Sequence, residues 1–443
     1  MNQSNNKRNI VLIIMHLMLG VVLFNYPFLS TYWGFSIVII ASYYILSYPD
    51  NSSILPLKFS AYIIGLEVLL RMCQSSLFWE FGKYAVIYFI FLGILRKKSK
   101  IRIYVPISIY FLFLLPSIIH LPLGSLSLWR QDVAFNLAGP ACLTILSIYL
   151  YNINLKRTEL FNILFYVILP ILSMSVVIIL KMPDITSYSF APHSNPLTSG
   201  GYGPNQVSTI YGFMVASLLL GWIMKINITG SKMIDLISLI IFIGLGLITF
   251  SRGGLFSAII AIVLAFSFYF IKDQRKIQVI FKIGLILILT SITWFAIVNI
   301  TEGAISKRYG IAGGAYGERF VVDLTGRVRI YEIDINIFSD NFLTGVGPGQ
   351  AHLLRERYGY GKVVAAHTEF SRMLAEHGLL GLFSLSLLIG IPIYYFTSNE
   401  SPKSKLIKIV FGTLALLTML HSAMRIAMPC FAYGLLFPKY YDE

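Results

Sequence analysis

The chain has 443 residues, 56% hydrophobic and 12% charged, with a mean hydropathy of +0.74. A soluble domain averages about a quarter charged residues, so the composition excludes a soluble globular protein. The net charge of +15 does not point to nucleic acid either, because most lysines sit in short clusters between apolar runs, the topology signal of a membrane protein.

Long apolar runs recur from end to end, and each can cross a hydrocarbon core of about 30 Å as a helix. Backbone groups in lipid must be satisfied within the protein, which leaves helices or a closed barrel. The runs are continuous rather than alternating, which excludes the barrel. The expected fold is all-α: a polytopic transmembrane helical bundle of about 12–14 spans, with one large outer-face loop carrying short helices. In chain order the spans are 10–29, 33–48, 54–72, 77–95, 103–121, 133–151, 160–180, 205–224, 234–250, 254–271, 279–299, 379–397, 406–421 and a short 425–437. The first reads as an uncleaved helix, since no small-x-small cleavage site follows it. Lys58, Glu67 and Arg71 interrupt the third. Cys73, Cys142 and Cys430 all lie in apolar runs, so no disulfide scaffold is implied.

With the N-terminus in the cytoplasm, alternate short loops should be basic. They are, at Arg96–Arg102, Lys156–Arg157, Lys225–Lys232, Lys272–Lys276 and Lys403–Lys408. This orientation puts the 181–205 loop, the Ser251–Gly254 turn and the 301–378 loop on the outer face. Four regions follow: N-terminal helices at 1–200, helices carrying two motifs at 201–300, an outer catalytic loop at 301–378, and C-terminal helices at 379–443.

Two motifs precede the loop. Gly203-Pro204-Asn205-Gln206 opens the eighth span, where Asn205 suits a helix cap and the helix N-terminus suits an anion. Ser251-Arg252-Gly253-Gly254 holds an arginine at the membrane boundary. Arg252 either snorkels to lipid headgroups or clamps a phosphate, with Gly253 permitting close backbone approach.

The loop itself holds seven arginines: Arg308, Arg319, Arg327, Arg329, Arg355, Arg357 and Arg372. Acids are about as numerous, so most of these arginines read as a self-paired surface, and the functional alternative is an anion site built on the guanidinium fork. Val328, Tyr331, Ile335 and Phe338 recur at helical spacing within 323–340, and Asn341 to Gln350, with the GVGPGQ segment, reads as a turn. Arg327 and Arg329 project about 200° apart on that helix, and Arg327 is the one favoured for the site. His367 opens a helix-like AHTEFSRMLAEHG. Phe370, Ser371, Leu374 and Gly378 share its packed face, while Glu369, Arg372 and Glu376 form local pairs on the opposite one. His367 is then either a structural histidine or a general base. His377 reads as a residue near the helix C-terminus, before Gly378. The other five histidines have no metal-ligand spacing, and no Walker loop, HExxH, GxSxG or CxxC occurs.

A multi-span chain with PNQ opening a span, SRGG between spans, and an outer loop holding GR, GVGPG and His-x10-Gly followed by LLG resembles the O-antigen ligase and O-antigen polymerase superfamily. The motifs cover about residues 200–395, and over 1–200 the resemblance rests on hydrophobicity. It implies a glycosyltransferase of the bacterial inner membrane, inverting and independent of metal or cofactor. The glycan would move from undecaprenyl pyrophosphate to an acceptor hydroxyl on the outer face. By that resemblance Arg252 and Arg327 hold the pyrophosphate, with Arg319 a third, and His367 accepts a proton from the acceptor. Asn205, Ser251, Gly253, Thr368 and Gly378 support them. Thr368 departs from the family, many of whose members carry His-Asn, which leaves its role open. A ligase would use a glycolipid acceptor, the lipid A core; a polymerase would use another lipid-linked repeat unit, and a third variant glycosylates protein. The compact loop and intact His-x10-Gly lean toward the ligase. The rival from another class is a transporter or flippase for an anionic lipid or solute, which would put polar residues at the bilayer midplane.

Overall fold

The computed structural model describes residues 3–47, 54–74, 78–97, 101–121, 126–183, 194, 196–272, 276–309, 325–361, 363–364, 366 and 368–442. In chain order the α-helices are α1 (Gln3–Asn25), α2 (Leu29–Ser47), α3 (Leu55–Met72), α4 (Phe81–Arg96), α5 (Val105–Leu112), α6 (Leu126–Tyr151), α7 (Arg157–Lys181), α8 (Pro204–Met224), α9 (Lys232–Ile248), α10 (Arg252–Lys272), α11 (Lys276–Ile300), α12 (Ala304–Tyr309), α13 (Thr325–Asp340), α14 (Ala351–Arg355), α15 (Glu369–Thr397), α16 (Pro402–Ser422) and α17 (Met428–Gly434).

The chain is a polytopic helical bundle. Each stretch expected to span forms helix, and among the described residues eight helices are long and apolar enough to cross a membrane. Two of the others depart for physical reasons. The 103–121 stretch breaks after α5 into a 3-10 turn, Pro116–His120, begun by its proline. The last span shrinks to the seven residues of α17, too short to cross. The three charges in α3 are each partnered. Arg71 pairs with Glu67 one turn earlier at 2.6 Å, and Lys58 lies 5.5 Å from the centre of the Tyr166 ring. A lone charge at such a site is expensive, so pairing is what lets α3 sit in the middle of the bundle.

Lipid exposure is legible in the faces. On α1 and α2, Val11, Met18, Ile39 and Tyr43 are all exposed, whereas α8 is buried along nearly its whole length. Apolar side chains turned outward on a single-layer rim are what a bilayer solvates. Inside, α3 packs on α7 and α4, α8 on α10 and α9, and α16 on α10, α15 and α17. One apolar core joins these helices from Ile13 to Tyr440. A smaller cluster of Ile333, Ile337, Ala351 and Ala375 seats α13 and α14 against α15. The one departure from all-α among the described residues is a two-stranded parallel ribbon. In it β1 (Asn154–Lys156) pairs with β2 (Lys439–Tyr441), Leu155 opposite Tyr440, tying the C-terminal segment to the α6–α7 link.

Candidate functional site

Where α4, α6, α8, α14 and α15 converge they line a half-open cavity of about 410 Å³. Its wall is Trp79 and Lys83; Asp132, Phe135, Asn136 and Gly139 on α6; Gln206 on α8; His352 and Arg355 on α14; Ala366; Glu369, Arg372 and Glu376 on α15; and Ala423, Met424 and Arg425 between α16 and α17. The size falls in the range of small-molecule sites.

Charge in this wall is arranged in partnered sets. Arg372 donates to Glu369, to Glu376 at 2.6 Å and to the Asn136 side chain at 3.2 Å. The face of α15 read as a polar, locally paired surface is therefore buried. Glu369, Arg372 and Glu376 are buried together with Ser371 from the other face. The i,i+3 and i,i+4 pairs are present as expected, but mutual neutralisation and the Asn136 amide let them turn inward onto α6. Arg355 reaches Asp334 through two nitrogens at 2.8 Å, and Ser371 donates to the second carboxylate oxygen at 2.6 Å. Burial pushes the Asp334 carboxyl up from the ordinary carboxylate range, opposed by the guanidinium of Arg355. Lys83 pairs with Glu80.

The helix expected from the spacing of Val328, Tyr331, Ile335 and Phe338 is present as α13. Val328 and Tyr331 are exposed on it, while Ile330, Ile333, Asp334 and Ile337 are buried. The helix carries two apolar stripes, and the one that also brings Asp334 to Arg355 faces α15.

A second buried set lies beside the cavity. Arg71 donates to Glu67, to Gln206 at 3.1 Å, to the Trp79 carbonyl at 2.8 Å and to the Arg425 carbonyl at 3.0 Å, and its guanidinium lies 4.9 Å from the centre of the Trp79 ring. Tyr202 adds a bond to Gln206 at 2.7 Å. Glu67 accepts from the Ala427 N–H at 2.8 Å and Glu369 from the Met424 N–H at 3.4 Å, which holds the turn that starts at Ala423 with φ of +52°. That turn aims Arg425 at the cavity, where it donates to the Ala366 carbonyl at 2.7 Å.

The two motifs ahead of the loop meet in space. Ser251 Oγ donates to the Asn205 side-chain oxygen at 2.7 Å, and Ser208 Oγ donates to the Ser251 carbonyl at 2.7 Å. The two glycines serve helix packing. A Cβ on Gly254 would collide with the Ser208 backbone of α8, and one on Gly253 with the ring of His421, which bonds Thr209 at 3.2 Å. Asn205 is thus a partner of the SRGG turn, and it lies within the first turn of α8, whose N-cap is Gly203. Arg252 is the first residue of α10 and half-buried.

His367 and Arg319 lie outside the described residues, as does the side chain of Arg327 in the first turn of α13. Thr368 caps α15, its hydroxyl accepting from the Phe370 N–H at 3.2 Å. Gly378 breaks α15, where GVGPG docks: Val346 donates to the Ala375 carbonyl at 3.1 Å and Gly347 to that of Glu376 at 3.0 Å. His377 is the last residue before that break, as its place ahead of Gly378 suggests, and it is buried with Nδ1 2.6 Å from Ser117 Oγ. Of the described sequence-predicted residues, none is in the cavity wall. Asn205 and Thr368 stand next to it, through Gln206 and Glu369. Sequence reasoning missed Trp79, Lys83, Asp132, Arg425 and His352 as cavity residues. The i, i+3, i+4, i+7 spacing of Asp132, Phe135, Asn136 and Gly139 was the signal available.

Residues 236–386 match the family model described as O-Antigen ligase. No curated protein and no solved structure matches the chain. The matched stretch runs from α9 into α15 and holds Arg252, Arg327 and His367, while Trp79, the α6 wall, Asn205 and Arg425 fall outside it.

Proposed function

We propose, from the match of residues 236–386 to the family model described as O-Antigen ligase, that the chain transfers a glycan from undecaprenyl pyrophosphate to an acceptor hydroxyl of a lipid A core. The reaction runs on the outer face of the bacterial inner membrane. The observation that carries this reading is the cavity beside the matched domain's His-x10-Gly segment, with Ala366, the residue before His367, in its wall.

In the proposed step the acceptor oxygen attacks the anomeric carbon from the face opposite the pyrophosphate. The anomeric C–O bond breaks, its electron pair leaves with undecaprenyl pyrophosphate, and the configuration inverts. His367 takes the hydroxyl proton. Negative charge grows on the leaving group, and fixed guanidiniums lower that barrier, with Arg252, Arg327 and Arg319 in this role. Arg425 joins them on the cavity side, because its turn is held by Glu369 and its side chain reaches Ala366. The pyrophosphate is already an activated leaving group, so the step calls for neither nucleotide nor metal.

Purified protein in nanodiscs, given undecaprenyl-pyrophosphate-linked glycan and lipid A core, tests this directly. His367→Ala and Arg252→Ala should each lower transfer about 100-fold or more while the protein still inserts and folds. Arg252→Lys should also be impaired, since a point charge cannot make the forked phosphate contact. Full transfer in any one variant removes that role. Glycans of cells lacking the gene separate the acceptors. Long lipid-linked chains left unattached mean ligase, single repeat units mean polymerase, and unchanged glycans put a transporter first.

A further inference from the structure

The cavity wall joins two unlike sets of residues. One is the cationic and carboxylate set of α14, α15 and the Arg425 turn. The other is Trp79 with Asp132 and Phe135 of α6, and Asn136 links the two by accepting from Arg372. Trp79 and Phe135 are about half exposed, at 50% and 43%, at the open part of this half-open cavity. The Trp79 ring is fixed in place, stacked by Arg71, which is itself held by Glu67, Gln206 and two backbone carbonyls. Asp132 precedes Phe135 by three residues, so the two project from one face of α6. Gln350 donates to one Asp132 oxygen at 3.0 Å, and a carboxylate has acceptor capacity well beyond a single bond.

This combination selects by chemistry. A pyrophosphate is repelled by Asp132, and a prenyl chain would strand that carboxylate, which accepts from Gln350, without water. A sugar ring suits both, because its C–H face packs on an aromatic ring while its rim hydroxyls donate to a carboxylate. We infer that Trp79, Phe135 and Asp132 form a glycan subsite that grips a neutral sugar of the lipid-linked donor and sets sugar specificity. The inference rests on the glycosyltransferase reading. It adds a division of labour: the matched residues 236–386 hold His367 and the arginines proposed for transfer, and the wall outside that stretch reads the sugar.

The test is steady-state transfer in nanodiscs, with the undecaprenyl-pyrophosphate-linked glycan extracted from the protein's own source cells as the varied substrate. Trp79→Ala should raise KM for that donor about tenfold with kcat within about threefold, and Trp79→Phe should restore most of the loss. Asp132→Asn keeps the shape and one acceptor, and should raise KM several-fold. If Trp79→Ala does not insert, Phe135→Leu read the same way takes its place. An unchanged KM in the tryptophan or phenylalanine variant and in Asp132→Asn overturns the subsite while transfer by the wild type leaves the glycosyltransferase reading intact. A fall in kcat alone, shared by Trp79→Phe, assigns the wall a structural role and also overturns it. Wild-type protein that moves no glycan from this donor rejects both readings together.

Discussion

Arg372→Met should be among the most destabilising single changes in this protein, lowering stability by about 3–5 kcal/mol and largely removing folded protein from the membrane. The guanidinium sits between Glu369 and Glu376, and all three side chains are buried. Removing it leaves two carboxylates facing each other in a site of low dielectric, each having lost its strongest donor, and it strips the Asn136 side-chain oxygen of the bond it accepts. Thermal denaturation in detergent, with monodispersity by size-exclusion, measures the loss. A second variant decides the cause: Arg372→Met combined with Glu369→Gln and Glu376→Gln buries no charge, and replacing a whole buried set is often close to neutral. The triple variant should therefore recover most of the lost stability. If Arg372→Met alone melts with the wild type, the two carboxylates are solvated and the cavity wall is not what holds this part of the fold.

The same charged set shows what a sequence can and cannot disclose. Span positions were readable because hydrophobic length is a local property, and among the described residues eight of the expected spans form helices long and apolar enough to cross. The Glu369–Arg372–Glu376 pairing was readable too, since i,i+3 and i,i+4 neighbours follow from helix geometry alone. Its burial was not. Nothing local says that α6, more than two hundred residues earlier, supplies Asn136 to take up the remaining donor. Which face of α13 turns inward is hidden for a related reason: two apolar stripes compete, and the deciding contact between Asp334 and Arg355 depends on how α14 returns. At the site, the meeting of PNQ with SRGG through Asn205 and Ser251 is long-range, so the motifs could be quoted but not joined. Arg425 was hidden more thoroughly, in a short C-terminal segment read as a weak span. The fold class is written in composition, and the cavity is written in contacts between distant segments.

The second large effect is expected at Gly378, where α15 changes direction. Its backbone sits at φ of +60° and ψ of −139°, a conformation that costs an L-residue of order 1–3 kcal/mol. Space is lacking as well. A Cβ there would lie 2.5 Å from the Gly345 nitrogen and 2.7 Å from the Phe342 carbonyl oxygen, and both obstacles are backbone. Backbone cannot rotate aside as a side chain can, so Gly378→Ala must push the GVGPG segment off the helix. That segment is held by Val346 to Ala375 and Gly347 to Glu376, and Phe342 accepts from the Leu379 N–H at 2.7 Å. Displacing it shifts Glu376 and with it Arg372 and the cavity wall. Gly378→Ala should therefore lower both melting temperature and glycan transfer sharply. Gly390 lies twelve residues further along the same helix, is exposed, and has nothing within 4 Å of a Cβ built on it. There alanine is the better helix former by up to about 1 kcal/mol, so Gly390→Ala should be neutral or slightly stabilising with transfer unchanged. Opposite signs for one chemical change in one helix would locate the cost in the docking of GVGPG. Equal and small effects would mean that the break at Gly378 is held by the chain on either side and needs no glycine.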